Sequence, residues 1–131
     1  MASERARCEA RWAATVQVVN GELIVGMGHM HLRDDGAQQW ARWWEAAGRR
    51  LTRGARSLRT AAFNHNELTA SGAECVLRAL FRSMGVAKSV KLLGNELGRS
   101  APGALESLTQ TELVPAFRAG MKELQPGHSM C

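Results

Sequence analysis

The chain has 131 residues, 45% of them hydrophobic, and 17 Lys and Arg against 12 Asp and Glu give a formal net charge of +5 and an isoelectric point near 9.9. That length holds one domain with a modest core and leaves no comfortable room for a second, while the apolar content is ordinary for a soluble globular chain. The basic balance favours acidic surfaces, nucleic acid or membrane headgroups as nonspecific contacts without defining a site, and three widely separated cysteines, Cys8, Cys75 and Cys131, argue against a disulfide scaffold and lack metal-ligand spacing.

Residues 1–12 mix Glu, Arg and Ala, lack the apolar core of a secretory signal, and read as an N-terminal tail. Glu4 and Glu9 speak against an organelle address. No apolar run is long enough to span a membrane, so the expected location is cytoplasmic, with the nucleus as the other option. A single domain is expected over 13–124. It opens with a hairpin, because the β-rich runs Thr15 to Val19 and Glu22 to Met27 are joined by Asn20-Gly21, a pair that tolerates positive φ. The first strand is expected to cover the sheet edge that the second would otherwise expose.

After Leu32 the pattern turns helical. Asp35-Gly36-Ala37-Gln38 resembles a capping box, and Trp40, Trp43, Trp44, Ala47 and Leu51 recur on one side while Arg42, Glu45, Arg49 and Arg50 fall on the other. Trp40 and Trp44 are therefore assigned to the core, with Trp43 either covering the hairpin or left partly exposed for a partner. A turn containing Gly54 follows over Thr52 to Arg56. Leu58 to Phe63 reads as a short strand, and Ser71-Gly72-Ala73-Glu74 offers a second capping box before the stripe Ala73, Val76, Leu77, Leu80, Phe81, Met84 and the helix stop at Gly85. A third strand is expected over Lys88 to Leu92, a turn at Asn95 and a helix from about Pro102. Leu113, Phe117, Met121 and Leu124 mark a C-terminal capping helix over about 111–124, and 125–131 reads as a tail.

One template runs through these elements three times. Its clearest copy is Leu58, Ala61, Phe63, Asn66, Leu68, Gly72, Val76 and Leu80. Val90, Leu92, Asn95, Leu97 and Leu105 repeat it, and Val25, Met27, Met30, Leu32, Gly36, Trp40 and Trp44 anticipate it. Leu32, Leu68 and Leu97 are separated by 36 and then 29 residues, a period typical of stacked repeats. The copies span about 22–56, 57–86 and 87–110. The run from Leu58 to Leu68, followed by Gly72, resembles a leucine-rich repeat of the ribonuclease-inhibitor-like kind. That resemblance implies an α/β solenoid with parallel strands on a concave face, helices outside, and Asn66 and Asn95 as a structural asparagine ladder. Met30 stands in the ladder position of the first copy, so its turn is expected to be looser or differently bonded. Ala61, Ala87 and Ala101 also depart from the family pattern. A strand followed by an apolar helix, repeated, independently implies a parallel sheet with crossovers. A compact α/β sandwich with coincidental repeats is the alternative.

Little in the chain suggests catalysis. His29 and His65 occupy the same template position in neighbouring copies, with His31 close by, but a full metal-ligand set is missing. Asp34 and Asp35 precede a helix and suit capping, and Cys75 lies near an apolar stripe. There is no phosphate loop, metalloprotease helix or serine elbow. The expectation is a noncatalytic module that binds a protein or acidic peptide and needs no cofactor. Residues between the inward strand positions form the proposed face: Gly26 and Gly28, then Arg59, Thr60, Ala62 and Asn64, then Lys88, Ser89, Lys91 and Leu93. Arg59, Asn64, Lys88 and Lys91 are the candidate partner-binding residues. The alternative is nonspecific nucleic-acid binding through Arg42, Arg49, Arg50, Arg53 and Arg56, although Tyr is absent and no recognition motif appears.

Overall fold

The computed structural model describes residues 3–85 and 87–97. The elements run α1 (Glu4–Ala14), β1 (Val16–Val19), β2 (Glu22–Gly26), α2 (Arg33–Leu51), β3 (Ser57–Ala62), α3 (Ala70–Met84) and β4 (Ser89–Lys91). They build a mixed α/β fold around a four-stranded sheet in the order β1-β2-β3-β4. β1 is antiparallel to β2, whereas β3 runs parallel to both β2 and β4. The expected helix from Pro102, the remainder of the third copy with Ala101 and Leu105, the capping helix over 111–124, the tail over 125–131 and Cys131 all lie outside the described residues.

The hairpin turn places Asn20 at φ 53° and Gly21 at φ 77°, the two left-handed residues that match the twist of a two-residue connection. Along β2 the buried residues are Leu23 and Val25, and along β3 they are Leu58 and Ala61. The spacing of two in β2 against three in β3 has a local cause. Leu23 pairs with Leu58 and Ile24 with Thr60, so Arg59 is an extra residue bulged out of the ladder.

α2 and α3 pack together over one face of the sheet. Trp40 is the hub: its ring stacks on Trp44 at 5.3 Å and meets Phe63 edge-on at 5.2 Å. Trp44 Nε1 donates to Ser83 Oγ of α3 at 3.0 Å, whereas the buried Trp40 Nε1 has no acceptor among the described residues. Trp43 is buried as well, against Trp12 at 5.6 Å, so it is not held open for a partner.

That last contact corrects the reading of residues 1–12 as a tail. Ser3 Oγ accepts from Ala6 N at 3.1 Å and caps a helix that begins at Glu4, and Cys8 and Trp12, one turn apart, pack on the core. Both expected capping boxes also fail. α2 begins at Arg33 with no side-chain cap, and α3 begins at Ala70 after Thr69, whose hydroxyl caps nothing in its own helix. Instead Asp34, in the first turn of α2, reaches across: its Oδ1 accepts from Thr69 N at 3.0 Å and its Oδ2 from Thr69 Oγ1 at 2.5 Å. One helix thus supplies the anionic cap of the next. Gly72 makes this approach possible, since a Cβ there would lie 2.1 Å from Asp34 Oδ1.

Candidate functional site

Among the described residues, the helices leave one face of the sheet uncovered. The inward residues Val25, Ala61 and Val90 form a row across β2, β3 and β4, so by strand alternation their neighbours in register point the other way. One outward row is Ile24, Thr60 and Ser89; the next is Gly26, Ala62 and Lys91. Beyond the strand ends, Gly28 lies against Asn64, since a Cβ on Gly28 would come within 3.7 Å of Asn64 O. Leu93 follows beside it. The open face therefore contains the expected residues, together with Ile24 and Glu22, which sequence reasoning omitted.

Glu22 changes the electrostatics. Lys88 Nζ reaches across β3 to hydrogen-bond Glu22 Oε2, and Arg59 and Arg56 add attraction. The Lys88 hydrogen bond first, then these cations, holds the Glu22 carboxyl below its ordinary value of 4.5 against the opposing effect of burial. One carboxylate thus offsets part of the charge of Arg59, Lys88 and Lys91. Arg59, Lys88 and Lys91 are all exposed. Asn64 has a structural job as well, because its Oδ1 accepts from Leu93 N at 3.1 Å and so ties the turn after β3 to the one after β4.

At the end of the sheet where strands turn into helices, the polar groups are buried instead. Asn66 Oδ1 accepts from Met30 N at 3.0 Å and Leu32 N at 3.2 Å, while its Nδ2 donates to Met27 O at 2.7 Å and Asn64 O at 3.2 Å. Asn95 repeats the arrangement one copy on: its Oδ1 accepts from Asn66 N and Leu68 N, both at 3.0 Å, and its Nδ2 donates to Phe63 O at 2.9 Å and Leu92 O at 3.0 Å. Each asparagine serves the turn of the preceding copy. This explains Met30: the first turn, expected to be looser or differently bonded, is held by a side-chain amide just as the second is. The first turn is bonded by Asn66, and no parallel strand precedes it that an asparagine at position 30 would serve, since β1 runs antiparallel.

The same turns repeat a backbone conformation. His29, His65 and Gly94 all have left-handed φ, at 58°, 57° and 77°. The His29 and His65 rings stack at 4.4 Å and 17°, and a Cβ on Gly94 would lie 2.1 Å from His65 Nδ1, so only glycine leaves room for the ring in the third turn. Parallel rings send their nitrogen lone pairs along parallel lines rather than toward one point. No group of three or more His, Cys, Asp or Glu able to hold a metal occurs among the described residues. His31 Nδ1 lies 3.5 Å from Glu67 Oε2, which also accepts from Arg33 Nε at 3.1 Å.

Cys75 is half-buried on α3. Desolvation first, then the nearby Asp34, Glu45 and Glu74 carboxylates, pushes its thiol above the ordinary value, so it stays protonated and weakly nucleophilic at neutral pH. Arg42, Arg49, Arg50 and Arg53 are exposed on α2 and in the loop after it, whereas Arg56, also exposed, directly precedes β3 and lies close enough to Glu22 to favour its charged form. No helix among the described residues is long and apolar enough to cross a membrane. Comparison with protein-family models, with curated proteins and with solved structures finds no match for this chain.

Proposed function

We propose that this chain is a noncatalytic protein-interaction module, a short solenoid of leucine-rich-repeat type acting in the cytoplasm or nucleus, and that its open sheet face takes an acidic peptide or the acidic edge of a protein. The observation that carries this reading is the open face itself. Three cations, Arg59, Lys88 and Lys91, stand exposed on adjacent strands beside small residues, Gly26, Ala62 and Ser89, that let an extended chain approach the backbone. The repeat reading is supported by the two asparagines, which make equivalent bonds 29 residues apart.

Charge complementarity would govern recognition, with Glu22 setting its limits: a ligand carboxylate must compete with Glu22 for Lys88, whereas Lys91 and Arg59 offer charge without giving up a hydrogen bond to any described residue. Titration of a panel of Asp- and Glu-rich peptides and of single-stranded and duplex oligonucleotides, across a salt series, tests the reading. Binding to an acidic peptide that is lost in the triple variant Arg59→Ser, Lys88→Ser, Lys91→Ser supports it. If oligonucleotides bind instead, with steep salt dependence and no sequence preference, and the triple change leaves that binding intact, the arginines of α2 and its following loop are a polyanion surface and the open-face reading fails.

A further inference from the structure

The hairpin that opens the fold protects the edge of β2 but leaves its own. Gly26 N donates to Thr15 O at 2.9 Å, and the closing pair of the two-residue hairpin is Val19 with Glu22. In an antiparallel ladder the residues of alternate pairs turn their N–H and C=O groups inward. Thr15, Gln17 and Val19 are therefore bonded to β2, and the backbone groups of Val16 and Val18 point outward along the free edge, where no described residue meets them.

This edge lacks the usual guards. Thr15 to Gly21 contains no ionisable side chain and no proline, and the bulge of the sheet lies in β3, not in β1. Val18 and Val19 are 36% and 41% exposed, two of three large hydrophobic residues so exposed among those described. β4, by contrast, contains Lys91 and directly follows Lys88. A charged partner would find nothing to read on β1.

We propose that β1 pairs with β1 of a second copy of this chain, antiparallel, across a two-fold axis through Gln17. In that register Val16 lies opposite Val18 of the other copy and Val18 opposite its Val16, so both residues exchange N–H and C=O groups and all the outward groups of both edges are satisfied. Gln17 faces its own equivalent, where two amide side chains are mutually complementary as donor and acceptor. Val19 meets Thr15 on the open side, and the Val16 and Val18 side chains meet on the helical side. The neutral segment brings no like charges together, so the interface is isologous and closed. Two four-stranded sheets then form one continuous sheet of eight strands, with both open faces on the same side. A single short strand pair buries little area, so association is weak and concentration-dependent. The pairing stands independently of what the open face binds.

Sedimentation of the full chain from about 10 μM to 1 mM tests it, alongside Val18→Lys and Gln17→Cys variants checked for native circular dichroism. A monomer–dimer equilibrium is expected, weakened by at least about tenfold in Val18→Lys, because a lysine on the edge blocks close strand approach. Under mild oxidation Gln17→Cys should form a disulfide dimer far faster than the unaltered chain, since residues opposite each other in a non-hydrogen-bonded pair are about 4.5 Å apart at Cα. A chain that stays monomeric throughout overturns the proposal. So does a dimer that Val18→Lys leaves intact and that Gln17→Cys does not trap, which would put the contact elsewhere or make the edge a site for a different protein's strand.

Discussion

At the turns after β2 and β3, the amides of Asn66 and Asn95 are fully buried and every one of their polar atoms is bonded to backbone. On the open face nearby, Arg59 of β3 and Lys91 of β4 stand in solvent, and Lys88 is held by the half-buried carboxylate of Glu22. Both regions are polar, but only the first is dry. In the buried turns a polar atom without a partner carries its full desolvation cost, so the side chain is fixed by the backbone it serves. On the open face water replaces any lost partner, and residue identity there is free to answer to a ligand.

The sharpest contrast with the open face lies in the core beneath it. Trp40→Ala removes the ring that stacks on Trp44, meets Trp43 at a tilt and Phe63 edge-on, and should cost about 3 to 5 kcal/mol in urea denaturation. A cost below about 1 kcal/mol would mean that the tryptophan cluster does not hold α2 to the sheet. An intermediate effect is expected at Gly72→Ala. Its new methyl group would displace the Asp34 carboxylate from Thr69, with a loss of about 1 to 3 kcal/mol. Asp34→Ala should remove most of that penalty in the double variant, because both changes break the same contact; full additivity would separate them.

The smallest effect belongs to the open face. The Glu22 carboxyl is held below its ordinary value, so its contribution to stability is complete above the ordinary carboxylate range and is lost as pH falls through the folded-state value. Melting curves of the chain and of Glu22→Gln should therefore differ slightly at neutral pH and converge in acid. A difference that grows on acidification would reverse the assigned sign.

Much of this architecture is legible in local sequence. Asn20-Gly21 marks the hairpin, the Trp40–Trp44 spacing marks the buried side of α2, and Gly85 marks the end of α3, where its N–H bonds Phe81 O at 2.8 Å. What escaped is of two kinds. α1 interleaves charged residues with alanines, and Cys8, Trp12 and Ala13 pack inward, a stripe whose one large side chain is too little to stand out although Ser3 supplied the cap signal. The other losses are long-range. Asp34 caps a helix 35 residues away, and Glu22 meets Lys88 66 residues away, while nearby capping-box patterns pointed to Asp35 and Ser71 instead. Local patterns name which groups need partners, and only the packed chain decides which groups supply them.

Paired urea denaturation of Asn66→Ala and of the triple open-face variant Arg59→Ser, Lys88→Ser, Lys91→Ser tests the division between buried turn and open face most directly. Asn66→Ala strands Met30 N–H, Leu32 N–H and Met27 O, so it should lose about 2 to 4 kcal/mol, while the triple variant should stay within about 1 kcal/mol of the unaltered chain. Equal midpoints for the two variants, or a larger loss in the triple variant, would contradict the account.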